Sequence, residues 1–180
     1  LGNSISEQTV AANTILLNFI MLSAYILDAY AFSTEGIVGY SIGSKNLKLL
    51  KDVIKNSFIL NTVTGLVICL IVFLSKNYYI MLMTDLSAIR EISFSYSYWA
   101  IIIPFAASFC FLFDGIFIGA SQTRELRNAM IASVAIYILV SFFLIASFGN
   151  TGLWLSLCIF FIARALTLFV YMPRIYKRIS

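Results

Sequence analysis

Histidine is absent from this 180-residue chain, and charge is scarce: 11% of its residues are Asp, Glu, Lys or Arg, against about 25% in an ordinary soluble domain. Without histidine there is no neutral-pH imidazole chemistry and no His-ligated metal site. A glycine-rich phosphate loop, an HExxH helix and a GxSxG elbow are also missing, so neither an enzyme nor a bound metal or organic cofactor is expected. The three cysteines, Cys69, Cys110 and Cys158, lie far apart inside apolar runs, with no CxxC or other ligand spacing. They read as small buried hydrophobes. The opening LGNSISEQ has no initiator Met, no basic n-region and no cleavage pattern. It does not resemble a signal peptide, and it reads as the continuation of a longer protein, so that the chain is expected to be a fragment.

What the chain has in abundance is oil. Hydrophobic residues make up 61% of it and the mean hydropathy is +0.96, which points to an integral membrane protein with the lipid bilayer as its first partner. Crossing about 30 Å of hydrocarbon takes roughly 20 residues in a helix. Five segments are long enough, at about 9–42, 53–74, 92–120, 126–148 and 153–172, which predicts an all-α bundle of about five transmembrane helices. A membrane barrel would instead show alternating segments of about ten residues. Pro104 lies inside the third span, where it removes a backbone hydrogen bond and predicts a kink.

The basic residues fall on alternate connections. Lys45, Lys48, Lys51 and Lys55 follow the first span, Arg124 and Arg127 the third, and Arg174, Lys177 and Arg178 the fifth. The other connections hold only Lys76 and Arg90, and FGNT at 148–151 has no charge. Basic loops favour the cytoplasmic side, so the first residues are expected outside and the C-terminus inside. A lysine cluster can also mark an anionic-lipid or nucleic-acid patch. Alternation across five spans favours topology, and no nucleic-acid partner is expected. The less apolar NYYIMLMTDLSAIREIS (77–93), with its tyrosines, reads as a short surface helix leading into the third span.

Four ionisable residues lie within spans, where each costs about 2.5–3.5 kcal/mol on insertion scales. Asp28 is near the middle of the first span. Glu35 lies seven residues, about two turns, further on and on nearly the same side. Asp114 is in the cytoplasmic half of the third span and Arg164 near the middle of the fifth. One reading is a polar cavity whose carboxylates bind a cation or a proton. The other is a structural ion pair, for example Arg164 with Asp28 or Glu35. Gly36, Gly39 and Gly43 follow Glu35, and Gly115 and Gly119 follow Asp114 as a GxxxG, spacings that let helices approach closely.

VAANTILLNFIMLSAYILDAYAFSTEGIVGYSIGSKN (10–46) resembles the eighth helix and following loop of the multidrug and toxic compound extrusion (MATE) transporters, best matching their DinF-like branch. YIMLMTDLSAIREISFSYSYWAIIIPFAASFCFLFDGIFIGASQTRELRNAM (79–130) resembles the ninth-to-tenth loop, the tenth helix and the loop beyond. DGIFIGASQTRELRNAM is the most specific piece. The resemblance covers essentially the whole chain and implies the C-terminal lobe of a twelve-helix transporter, from the end of helix seven through helix twelve. It implies two six-helix lobes around a central cleft and an antiporter that exports small organic, often cationic, compounds from bacterial cells in exchange for H⁺ or Na⁺. The partner would be the missing N-terminal lobe, and the Asp28–Glu35 face would look into the lobe interior or the cleft. In this branch the acid tied to coupling lies in the first helix, outside this chain. Another branch uses an acid in its tenth helix, the helix that Asp114 matches, but the positions do not align and the role is not transferred. At 28–32 this chain reads DAYAF where the branch more often reads DGFA-like, so Ala29 and Tyr30 depart from it. Two other functions fit the composition: a lipid-linked oligosaccharide flippase of the same wider superfamily, which should have a more cationic cavity, and a non-transporting membrane subunit.

Overall fold

The structure is a computed structural model that describes residues 6–177; Arg178 and the opening residues LGNSI lie outside the described range. Among those residues the chain forms five helices, α1 (Glu7–Gly43), α2 (Leu47–Met83), α3 (Ser87–Gly119), α4 (Thr123–Phe148) and α5 (Asn150–Tyr176). All five are long and apolar enough to cross a membrane, so the fold is an all-α membrane bundle. At 37 residues each, α1 and α2 reach about 55 Å and extend past the hydrocarbon at their ends.

The expected surface helix at 77–93 does not exist as a separate element. Residues 77–83 continue α2, and 87–93 are the start of α3. Two contacts explain this. Tyr79 stacks on Phe19 of α1 with ring centroids 4.1 Å apart, which holds the last turns of α2 on the bundle. Arg90 then donates from Nε to the Thr84 carbonyl at 2.7 Å and from Nη2 to that of Met81 at 3.0 Å, and pairs with Asp85 at 3.2 Å. A cation thereby meets the carbonyls left unpaired at a helix C-terminus.

α3 is the central helix, packed against each of the other four. Its closest neighbour is α1, and glycine sets the spacing. A Cβ on Gly115 would overlap the Ala31 carbonyl, and one on Gly119 the Glu35 carbonyl, so the two backbones meet directly. Gly39 contributes to the same seam, its Cβ position lying 3.4 Å from the Gly119 carbonyl oxygen. Gly36 and Gly43 do not: nothing lies within 4 Å of the Cβ either would carry, and the helix-approach role expected of them falls to Gly39, Gly115 and Gly119. α4 and α5 form a tight hairpin in which Gly152 rests on the Leu144 carbonyl.

α3 remains helical through Pro104. The proline leaves the Ala100 carbonyl without its usual donor. One residue on, the Ile101 carbonyl accepts from Cys69 Sγ of α2 at 3.2 Å, so this cysteine is a hydrogen-bonding packing residue rather than a plain hydrophobe. The core falls into two clusters, one around Leu16, Leu27, Ile103 and Trp154, the other around Val38, Leu50, Phe117 and Leu168. On α4 only Ala129 and Ser133 are buried; Ile138, Leu139, Phe142 and Phe143 are all at least 60% exposed. So broad an apolar surface matches hydrocarbon rather than water.

The turns α1–α2 and α3–α4 are copies of one motif. IGSKNLKLLK (42–51) and IGASQTRELR (118–127) align with Gly43 on Gly119, Asn46 on Gln122, Lys48 on Arg124 and Lys51 on Arg127. The hydrogen bonds repeat as well. Asn46 N–H donates to the Ser41 carbonyl and Gln122 N–H to that of Phe117, while Lys45 donates to Ile42 and Ser121 to Ile118. Lys45 and Ser121 both take positive φ, 52° and 54°, the left-handed residue that closes such a helix end.

Candidate functional site

Asp114 and Arg164 meet inside the bundle. Arg164 Nη2 of α5 donates to both carboxylate oxygens of Asp114 on α3, at 3.0 Å and 2.9 Å. Both side chains are largely buried, 13% exposed for Arg164 and 18% for Asp114. Arg164 Nε is enclosed with no partner. The ion pair considered from sequence therefore exists, but its acid is Asp114 rather than Asp28 or Glu35.

Asp28 joins them from α1. It is half-buried and close enough to act on Asp114 electrostatically. Its place follows from the glycine seam: Gly115, next to Asp114, presses on Ala31, less than one turn beyond Asp28. Glu35 is also half-buried, but its part in this seam is its backbone carbonyl, under Gly119. The structure thus gathers Asp28, Asp114 and Arg164 into one cluster and leaves Glu35 about two turns nearer the basic end of the bundle. Two carboxylates against one guanidinium leave one negative charge uncompensated. Among the described residues no three metal-ligating side chains converge.

An apolar cleft of about 560 Å³ opens beside this cluster, between α2, α3 and α5. Phe58, Phe105, Phe109, Phe113 and Phe169 line it. Ring faces of this kind attract organic cations.

One polar group had no counterpart in the sequence reading. Asn13 of α1 and Asn150 of α5 exchange side-chain hydrogen bonds at 2.6 Å and 3.0 Å, and Trp154 Nε1 donates to Asn13 Oδ1 at 3.1 Å. This buried clasp ties the starts of α1 and α5 together, at the end of the bundle opposite the lysines. The two asparagines stand 137 residues apart. The available signal was a polar amide at the mouth of each span, which is also what a plain helix end looks like.

Comparison with known proteins places this geometry. The chain is 30% identical over 168 residues to the DNA damage-inducible protein F of Escherichia coli (strain K12), covering 93% of this chain and 36% of that protein. It spans about a third of that relative's length. The crystal structure of the eukaryotic MATE transporter AtDTX14 shares the fold, with a TM-score of 0.85 at 13% sequence identity, over 97% of this chain and 42% of that one. The expectation that the chain is not an enzyme accords with a solved relative that is a transporter. The family described as MatE matches residues 1–143, well over half of the sequence, and this chain belongs to the MatE family.

Proposed function

We propose that this chain is one lobe of a secondary active antiporter that exports organic, often cationic, compounds across the cell membrane in exchange for H⁺ or Na⁺, the second lobe coming from the N-terminal part of the same transporter. The observation that carries this reading is the uncompensated charge of the Asp28–Asp114–Arg164 cluster. Arg164 already neutralises Asp114. The remaining carboxylate, Asp28, is costly within a span, and a proton or a sodium ion relieves that cost. The relief reaches the helix packing, because the residue after Asp114 clamps α3 onto α1 less than one turn from Asp28. Loading and unloading Asp28 therefore biases the contact between the two helices, as alternating access requires. The aromatic cleft offers an organic cation its ring faces. In this reading the lysine-bearing elbow and the start of α4 face the cytoplasm.

A lipid-linked oligosaccharide flippase fits less well. It needs free cations for a phosphate group, and the one cation in the middle of a span among the described residues, Arg164, is taken up by Asp114.

The test is efflux of a fluorescent cationic dye from liposomes holding the full-length protein, driven by an imposed H⁺ or Na⁺ gradient. Asp28→Asn should reach the membrane normally and lose the dependence of efflux on the gradient. Wild-type efflux by Asp28→Asn across pH and Na⁺ concentration would remove Asp28 from the mechanism.

A further inference from the structure

The two copied elbows differ at one point. In the α1–α2 elbow, Asn46 Oδ1 accepts from Leu49 N–H at 2.9 Å, so the start of α2 is capped by its own chain. In the α3–α4 elbow the equivalent Gln122 makes no such bond. Its side chain is 7% exposed, and its Oε1 is enclosed with no partner. A polar cavity of about 330 Å³ lies here, lined by Ser121, Gln122, Thr123, Arg124 and Glu125.

We propose that this elbow, residues 121–125, is a binding site for the headgroup of an anionic membrane lipid that carries a phosphodiester and a hydroxyl, as in phosphatidylglycerol. Four observations converge on that chemistry. The first-turn N–H groups of α4 have no acceptor within their helix and no side-chain cap, and they point positive charge at the cavity. Arg124 and Arg127 are exposed beside them. Cations at a helix N-terminus oppose the dipole, and a phosphate between them relieves both. The acid in this turn, Glu125, is engaged by Arg174 of α5 at 3.1 Å, so its charge is compensated. Gln122 supplies the remaining element: turned into the cavity, its Oε1 accepts from a hydroxyl, a donor that a choline headgroup lacks.

The depth is right for a lipid rather than a solute. α3 ends at Gly119 and the first buried residue of α4 is Ala129, so the elbow sits at the level of the headgroups. The site is independent of whether the protein exports anything.

The experiment titrates delipidated full-length protein in a neutral detergent with dihexanoyl phosphatidylglycerol, with dihexanoyl phosphatidylcholine and inorganic phosphate as comparison arms. Binding is read by thermophoresis, and folding by gel-filtration profile and melting curve. Phosphatidylglycerol should bind more tightly than either comparison, and more weakly as salt rises. Arg124→Gln should weaken it at least about tenfold, the loss of one charge-assisted hydrogen bond. Gln122→Leu should also weaken it, Arg124→Lys should retain most of it, and Lys48→Gln, the matching change in the self-capped elbow, should stay within about twofold. Equal affinity for phosphatidylcholine or for inorganic phosphate overturns the proposal. So does an equal loss in Lys48→Gln and Arg124→Gln, which would reduce the elbow to a diffuse basic surface.

Discussion

Replacing Gly115 by alanine tests the α1–α3 seam with a control built into the same pair of helices. The added methyl group would lie 2.9 Å from Ala31 Cα and closer still to its carbonyl carbon and oxygen. Those are backbone atoms of a packed helix, so no side chain can swing aside. To restore ordinary contact at 3.4 Å, α1 and α3 must part by at least about half an ångström at this level. Overpacking of this kind costs about 1–3 kcal/mol, and the upper part of that range is expected where the obstacle is backbone. Alanine also gains about 1 kcal/mol over glycine inside a helix. Gly36→Ala collects that gain with nothing in its way. The gain is common to both variants and cancels between them, so their difference isolates the steric cost, expected at about 2–3 kcal/mol. The assay is reversible denaturant or SDS titration of the full-length protein, followed by helical circular dichroism. Gly119→Ala, against Glu35, should behave like Gly115→Ala. A gap below about 1 kcal/mol between Gly115→Ala and Gly36→Ala would refute direct backbone contact between α1 and α3.

Two further outcomes are expected. Arg164→Gln strands the Asp114 carboxylate in the bundle and should cost about 3–5 kcal/mol; adding Asp114→Asn should recover part of that loss in the same titration, and a double variant less stable than Arg164→Gln alone would contradict the pairing. For orientation, cysteine at the exposed Ser147 should label with an impermeant maleimide in intact cells while Lys48→Cys labels only after permeabilisation, and the opposite pattern would invert the topology.

The five-helix architecture was legible in the sequence because hydrocarbon thickness is a harsh filter. Long runs without charge have few alternatives to crossing a bilayer, and the backbone can satisfy itself there as a helix. The same rule brought out the four intramembrane charges, since each has to justify its cost. The GxxxG at Gly115 and Gly119 was visible as spacing. Which glycines make contact was not: Gly36, Gly39 and Gly43 share that small-residue character, yet only Gly39 joins the seam, because contact depends on where the partner helix lies and not on the helix itself.

Tertiary structure decided the pairings. Arg164 had three acids to choose from in sequence, and it meets Asp114, 50 residues away, because α3 stands at the centre of the bundle between α1 and α5. The Asn13–Asn150–Trp154 clasp joins opposite ends of the chain, and local sequence holds no record of that proximity. The segment 77–93 was misjudged for a related reason. Its tyrosines and charges suit an interface, but Tyr79 has an aromatic partner on α1 and Arg90 a helix end to cap. Sequence alone therefore determined which segments enter the membrane and where charge is expensive, since solvation of single residues sets both. Which charges neutralise one another, and which elbow keeps an open helix start, depended on distances between helices, and only packing determines those.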